Sequence, residues 1–511
     1  MVQQITLHLD VPEAHQQVLQ RHSLLRNAIQ RHTEQLTGIY YDTRRLALRR
    51  SGIVLRLRKQ GAAWQQTVKH REVSRGGLSL RPEWESPYLG HFDFSSVDDT
   101  SLKDWLSRAK IQLNLTPLFE VKVKRTTWKV ETAAGGVILV KLDRGWIASS
   151  GRRQPISEVE LRLVSGTVHD LYGIGTTLSQ RIPLTPSLVS KVERGYALFL
   201  DLKPAPVKAF AVALDADGTT LAAFRLIALN CLAHLHMNHA GAIVGTDPEY
   251  VHQMRVATRR LRAALRMFKP VLAPDFIENL ISSLREVMES LGRVRDFDVL
   301  MAEIVAPVAN ALPEDPRLAD LAGVITNRLF VARADAARLL SQPQYGLLQI
   351  GAGALLHGAP FIDPVAESGQ TDTDAGDASL RHFAERRLAR LLRKTLKLAA
   401  VARSDEPSSL HELRISIKRL RYAIEFFGPM IPGKGAARLV QHLAELQDEL
   451  GQLNDLASAG AVLMACAGSD PNLREAVALI GGWHGPRHSD LLAAIPDQLT
   501  KLAKIKLPRI H

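Results

Sequence analysis

Two segments 159 residues apart carry one eleven-residue pattern, and that pattern is a row of cations at helical spacing. The first runs from His252 to Arg262 and the second from His411 to Arg421; both read H-x-x-R-x-x-x-[RK]-R-L-R. A second match keeps the same offset: Leu291-Gly292-x-Val294-x-Asp296 corresponds to Leu450-Gly451-x-Leu453-x-Asp455. Two motifs with one offset identify a duplication over 215–511, with repeats at about 215–362 and 378–511.

Steps of three and four keep residues on one face of a helix. His252, Arg255, Arg259, Arg262 and Arg266 follow that rule, and so do His411, Arg414, Lys418 and Arg421. Arg260 and Arg419 extend the basic inventory, and a third helical stripe runs through Arg386, Arg390, Arg393 and Lys397. Like charges at i,i+4 repel, so a stripe without interleaved acids is relieved by an external anion. A single such stripe is ordinarily a solvated face. Its repetition, with a histidine at the same place each time, points to a polyanion with closely and regularly spaced charges. His252 and His411 read as hydrogen-bond donors at the end of each stripe, since no nucleophile or zinc-type spacing accompanies them. Asp296 and Asp455 read as groups that orient the neighbouring cations.

The net charge of +13 is unevenly spread. Residues 1–200 hold 29 Lys and Arg against 18 Asp and Glu, whereas the remainder holds 36 against 34. The C-terminal stripes are therefore local concentrations of charge, which favours a defined anion site. A length of 511 residues exceeds one core and predicts at least two domains. Cys231 and Cys466, the only cysteines, fit a reducing compartment and exclude a disulfide framework. Residues 1–10 alternate like a strand and lack the apolar core of a signal peptide. No apolar run approaches a membrane span, and the expected location is the cytoplasm.

Residues 1–200 read mostly as β, with alternating strands near 5–9, 53–59, 64–71, 120–130, 137–142 and 157–164, and with helices at 12–37 and 101–113. Charges occupy single faces of these strands: Arg56 with Arg58, Glu83 with Glu85, Lys141 with Asp143, and Glu158 with Glu160 and Arg162. Such rows fit a solvated sheet face or, if the sheet closes, a charged lumen. A Pro-rich joint at 201–207 opens the linker 201–214, after which the periodicity is helical. The acidic, turn-rich stretch 363–377 falls between the repeats and reads as their disordered linker.

The duplicated region resembles the CHAD family, the conserved-histidine α-helical domains, on Val251-His252-Gln253-x-Arg255-Val256-x-x-Arg259-Arg260-Leu261-Arg262 and the later Leu-Gly motif. The resemblance implies two pseudo-symmetric four-helix bundles whose basic helices face a shared groove for inorganic polyphosphate. Residues 1–200 resemble the CYTH family, the triphosphate tunnel metalloenzymes. The residues that carry this are Tyr41-Asp42-Thr43, Gly52-x-x-Leu55-Arg56-x-Arg58, Lys69, Glu83 with Glu85, Arg125, Asp143-x-Gly145, Glu158-x-Glu160 and Ser190-Lys191-x-x-Arg194-Gly195-Tyr196. That resemblance implies an α+β, eight-stranded antiparallel tunnel. Arg56, Arg58, Lys69, Arg125 and Lys191 would hold a triphosphate, and Glu83, Glu85, Asp143, Glu158 and Glu160 would hold Mg or Mn.

The sequence departs from the family in the metal half. An opening Glu-x-Glu-x-Lys is replaced by Gln4-Ile5-Thr6-Leu7-His8, Leu139 stands where a carboxylate is expected, and Arg162 follows Glu160 where a third acid usually lies. Hard divalent cations need anionic oxygens, and histidine is a weaker, titratable cation than lysine. The expectation is a polyphosphate-binding protein, with polyphosphate granules among its expected partners, whose tunnel takes short chains such as tripolyphosphate and binds metal weakly or not at all. The alternative is an active Mg- or Mn-dependent inorganic triphosphatase. A nucleic-acid-binding role is disfavoured because few aromatics flank the basic stripes. No membrane partner is expected, and the sequence leaves oligomeric state open.

Overall fold

The computed structural model describes residues 5–61, 63–70, 73–75, 78–80, 83–245, 247–357, 379–403, 406–431 and 434–505. Gln4 and the stretch 363–377 lie outside the described residues. The chain divides into two compact units, Met1–Ala205 with Ser341–Ala359, and Pro206–Leu340 with Pro360–His511.

The first unit is built on one antiparallel sheet. Its strands are β1 (Thr6–Asp10), β2 (Gln30–Thr43), β3 (Ile53–Gln60), β4 (Ala63–His70), β5 (Val73–Arg75), β6 (Leu78–Leu80), β7 (Glu83–Pro87), β8 (Leu115–Glu131), β9 (Val137–Ser149), β10 (Arg152–Ser165) and β11 (Thr185–Pro186). They run in the order β5-β6-β1-β10-β9-β8-β2-β3-β4-β7, with β11 paired to β1. Among these, eight have five residues or more, in line with the eight-stranded expectation; β5, β6 and β11 are short additions. The helix expected at 12–37 stops early: helical turns end at Arg26, and Gln30 begins β2. Pairing of β2 with β8 from Gln30↔Lys129 to Thr43↔Leu115 supplies the backbone hydrogen bonds that override the local helical pattern.

Alternation decides the faces. Val140, Leu142, Val159 and Leu161 point to a buried layer with Trp128, Leu171 and Tyr172, which helix Val168–Ser179 covers. A capping box fixes the start of that helix: the Thr167 side chain accepts from Asp170 N while the Asp170 carboxylate reaches back to Thr167. Ile350, from helix Pro343–His357, joins the same layer. A β-carbon on Gly346 would lie 1.9 Å from the Leu184 carbonyl oxygen, so only glycine lets this helix approach. The expected first repeat, 215–362, therefore contains a helix that packs with the sheet unit.

The second unit is helical. Helices Thr220–Met237, Pro248–Phe268, Pro274–Val299 and Pro316–Leu340 are followed, at the offset of the duplication, by Leu380–Val401, Pro407–Phe427, Gly435–Ala467 and Pro471–Ala503. Helix Pro274–Val299 runs on through a π-helical stretch, Leu300–Val305. The two sets share a core in which Leu300, Ile304, Leu321 and Ile325 meet Leu463, Ala476 and Ile480. Phe268 and Phe427, equivalent residues of the two repeats, meet with ring centroids 6.1 Å apart. The stretch Thr220–Val244 is long and apolar enough to cross a membrane, its most apolar 18 residues having a mean hydropathy of 1.3, contrary to the sequence reading. Two thirds of that window is buried inside the protein, as in a core helix.

Candidate functional site

The charged rows of the sheet share one face, and the register arranges them in rungs. The first rung runs Asp10–Glu158–Asp143–Arg125–Glu34 across β1, β10, β9, β8 and β2. The second runs His8–Glu160–Lys141–Thr127. The third runs Thr6–Arg162–Leu139–Lys129. Thr6, Leu139 and Arg162, three scattered departures from the family pattern, are thus direct neighbours.

The first rung is a dense ion-pair lattice. Arg125 donates through Nε and Nη2 to Asp143 at 2.7 and 2.8 Å. Lys191 Nζ donates to Asp143 Oδ2 at 2.7 Å and also pairs with Glu158, while Arg194 lies 3.8 Å from Glu158. Burial opposes charge on Asp143, yet Lys191 and Arg125 hold it down to about 2. Asp10 goes the other way: burial, and then Glu158, push it up to about 6, against the opposing pull of Ser187, Arg194 and Lys191. In the second rung Lys141 Nζ sits 2.7 Å from Glu160 Oε1, with Arg125 3.8 Å from Glu160 Oε2. Against the pull of burial, Lys141, His8 and Arg125 hold Glu160 well below the usual carboxylate range.

Lys191 is delivered by helix Lys191–Phe199, whose N-cap Ser190 accepts from Glu193 N. Tyr196 OH donates to Asp42, which also accepts from the amides of Thr43, Leu48 and Arg49. A β-carbon on Gly195 would meet the Phe119 ring at 2.2 Å. The Asp42 and Gly195 motifs therefore seat the helix that carries Lys191, and neither residue contacts the charged rungs itself. A second cluster joins Lys69 to Glu83 at 2.6 Å, with Arg56 3.6 Å from Glu83 and 3.9 Å from Glu85. Arg58 is lowered by burial and by its neighbours Arg56 and Arg125. All five cations expected to hold a triphosphate thus lie on this face.

The five expected metal ligands are divided. Glu83 and Glu85 face Lys69 and Arg56, while Asp143, Glu158 and Glu160 face Arg125, Lys191 and Lys141. Among the described residues no three His, Cys, Asp or Glu side chains form a group able to hold a metal ion. The donor set does not fit a hard divalent cation, because its oxygens already bind the protein's own cations.

In the helical unit, helices Pro248–Phe268 and Pro407–Phe427 pack together and bring both stripes to one face. Arg259 of the first repeat acts on Arg414 and Lys418 of the second, and Asp455 acts on Arg255, Arg414 and Lys418. Burial, and then Arg414 and Arg259, lower Lys418 to about 8. Burial and Arg295 lower His252. Arg255 reaches Asp296 at 3.6 Å and donates to the Leu291 carbonyl at 3.3 Å. Nε atoms of Arg259, Arg262 and Arg414 on this face, and of Arg260 and its duplicate Arg419 one step off the stripe, are shielded from solvent with no hydrogen-bond partner among the described residues. His411 is exposed, with Nδ1 3.2 Å from Asn454 Oδ1.

Arg260 is not part of this face. It is 4% exposed, lies 3.4 Å from Asn230 Oδ1 and stacks over Phe426. Its position is one step off the stripe, which turns it into the core. Arg386, Arg390 and Arg393 are exposed and pair with no carboxylate among the described residues; it is Arg387, not they, that donates to the Arg266 carbonyl. Sequence reasoning missed Asp10 and Arg295, and it placed Lys141 on a charged strand face without assigning it to the site. Strand parity with His8 and Asp143 marks Asp10 and Lys141, and the position inside the Leu-Gly motif marks Arg295.

Residues 8–196 match the CYTH domain family and residues 226–464 match the CHAD domain family. An inorganic triphosphatase of Haemophilus influenzae is 31% identical over 164 residues, which are 32% of this chain and 46% of that protein, so the chain spans about half of that relative's length. The crystal structure of the CHAD domain from the plant Ricinus communis is 35% identical, covers 60% of this chain and 99% of its own, and superposes with a TM-score of 0.51. The chain carries a CYTH domain followed by a CHAD domain.

Proposed function

We propose that this protein binds inorganic polyphosphate on the face shared by its two basic helices, and that its sheet unit takes a short polyphosphate end such as tripolyphosphate without efficient hydrolysis. One observation carries the first part: two cationic stripes from different repeats converge on one face, where burial and Arg259 of the first repeat lower Arg414 and Lys418 of the second, and the Nε atoms of Arg259, Arg262 and Arg414 are shielded with no hydrogen-bond partner among the described residues. A crowded cation face of this kind gains most from a ligand that supplies many phosphate oxygens at once. The cations Arg56, Lys69, Arg125, Lys141 and Lys191 on the sheet's charged face, with Glu83, Asp143, Glu158 and Glu160 already paired to them, support the second part. The site belongs in the cytoplasm, where polyphosphate granules would be its partner.

The second reading is an active metal-dependent inorganic triphosphatase, favoured by the Haemophilus influenzae relative of that name. Phosphate release from tripolyphosphate with Mg²⁺, Mn²⁺ or EDTA, set beside a polyphosphate binding titration, separates the two. Tight polyphosphate binding with negligible release supports the first reading. Rapid metal-dependent release establishes the second.

A further inference from the structure

We propose that Lys141 and Arg162 are built-in counter-ions that take the place of a divalent cation on the sheet's charged face and bind the end of the phosphate chain there directly. The proposal rests on the reading of that face as an anion site and names the residues that make it metal-independent.

The rungs carry the argument. Thr6, Leu139 and Arg162 are adjacent on β1, β9 and β10, and Lys129 extends their rung on β8. This rung holds two cations and no carboxylate. Immediately beside it, Lys141 reaches across from β9 to Glu160 of β10 at 2.7 Å, with both side chains largely buried (11% and 15% exposed). Loss of acids on one rung thus coincides with a fixed ammonium on the next. A divalent metal would bring two positive charges to carboxylates and phosphate oxygens alike. Lys141 bridges in the same sense, with one carboxylate held and two further N–H donors on the ammonium. Arg162, one rung on, adds a planar donor set suited to phosphate.

The test uses the full chain with Arg259 and Lys418 replaced by alanine, which weakens the helical face, and calorimetric titration with tripolyphosphate in EDTA. Lys141→Met should weaken binding about tenfold, the loss expected of one charge-assisted contact, and Arg162→Gln should act in the same direction. Lys141→Arg, which keeps the charge, should bind within about threefold of its parent and shows that the position tolerates change. In the ligand-free protein, Mn²⁺ resonance should detect no bound ion in the parent. One ion per chain should appear in the variant Leu139→Glu, Lys141→Ala, Arg162→Glu. Unchanged affinity in folded Lys141→Met, or Mn²⁺ bound to the parent and lost in Glu160→Gln, overturns the proposal. Absence of any tripolyphosphate binding by the parent in EDTA instead overturns the reading of the sheet as an anion site, and the proposal with it.

Discussion

Arg255 lies against Gly292: its Nη1 is 3.1 Å from where a β-carbon on residue 292 would stand, and it donates to the carbonyl of Leu291. In the second repeat Arg414 takes the same place, with Nη2 3.6 Å from a β-carbon on Gly451. The two motifs that share one offset in the sequence are therefore one contact, made twice. Gly292 clears the path by which Arg255 crosses the neighbouring helix to reach the shared face, whereas at Gly451 a β-carbon would stand at ordinary contact distance from Arg414.

That contact makes Gly292→Ala informative. Alanine in a helix interior is favoured over glycine by about 1 kcal/mol, and its methyl would meet only the mobile end of Arg255. Thermal unfolding should show stability kept or slightly raised. Polyphosphate affinity should fall severalfold, because Arg255 is pushed from its seat. A fall in stability together with unchanged affinity would detach Arg255 from the site.

Arg260 and its stripe neighbours should part company under mutation. Arg259→Ala with Lys418→Ala should reduce the dependence of log affinity on log salt by about 0.7–0.9 per cation, as counterion release predicts. Arg260→Ala should leave that slope unchanged and lower the unfolding temperature instead, since it removes a buried contact with Asn230 and Phe426. Equal salt slopes for the double variant and for Arg260→Ala would contradict the division.

Lys418 gives the face a pH dependence of predictable sign. Burial and the flanking arginines lower it to about 8 in the free protein. A bound polyanion favours the charged form and raises it, so binding takes up a proton once the free lysine has lost its own. Affinity should be flat near pH 7, where Lys418 is charged and His252 is not, and decline between pH 8 and 10. In Lys418→Arg the decline should vanish, which isothermal titration in buffers of different ionisation enthalpy can check.

Asp10 acts on stability. Burial and Glu158 raise it to about 6 in the folded chain, above its ordinary range. The folded state then keeps a proton that the unfolded chain has lost. Its contribution is greatest below about pH 4 and disappears as pH rises through 6. Asp10→Asn stays neutral at every pH and should raise the denaturant midpoint at pH 7, with the gain shrinking towards pH 4.

Much of this was legible in the chain because the relevant periodicities are local. Steps of three and four placed His252, Arg255, Arg259 and Arg262 on one face, and strand parity put Glu158, Glu160 and Arg162 on another. What the sequence could not display is register between strands far apart in the chain. Thr6, Leu139 and Arg162 look like independent losses until β1, β9 and β10 are aligned. Arg260 was misplaced because one residue separates the stripe from the core face, and a row of adjacent arginines hides that step. The helical run 343–357 has an ordinary helical pattern, and nothing in it says which unit its apolar face will meet.

That helix supports the last prediction. Helix Pro343–His357 buries Tyr345 and places Ile350 in the sheet unit's core, with Gly346 against the Leu184 carbonyl and Gly353 against Tyr172. The backbone oxygen of Leu184 cannot move aside as a flexible side chain would, so a β-carbon at 346 must displace the helix. Gly346→Val should therefore destabilise the sheet unit by about 1–3 kcal/mol, the range for overpacking. Tyr172 reports on this face: its phenol is pushed up by burial alone, and lifting the helix should return its ionisation towards the ordinary range. Spectrophotometric titration of the tyrosines, read against Tyr172→Phe, would detect the change. A Gly346→Val protein with unaltered stability and an unaltered Tyr172 titration would show that the helix is not bound to the sheet unit in solution.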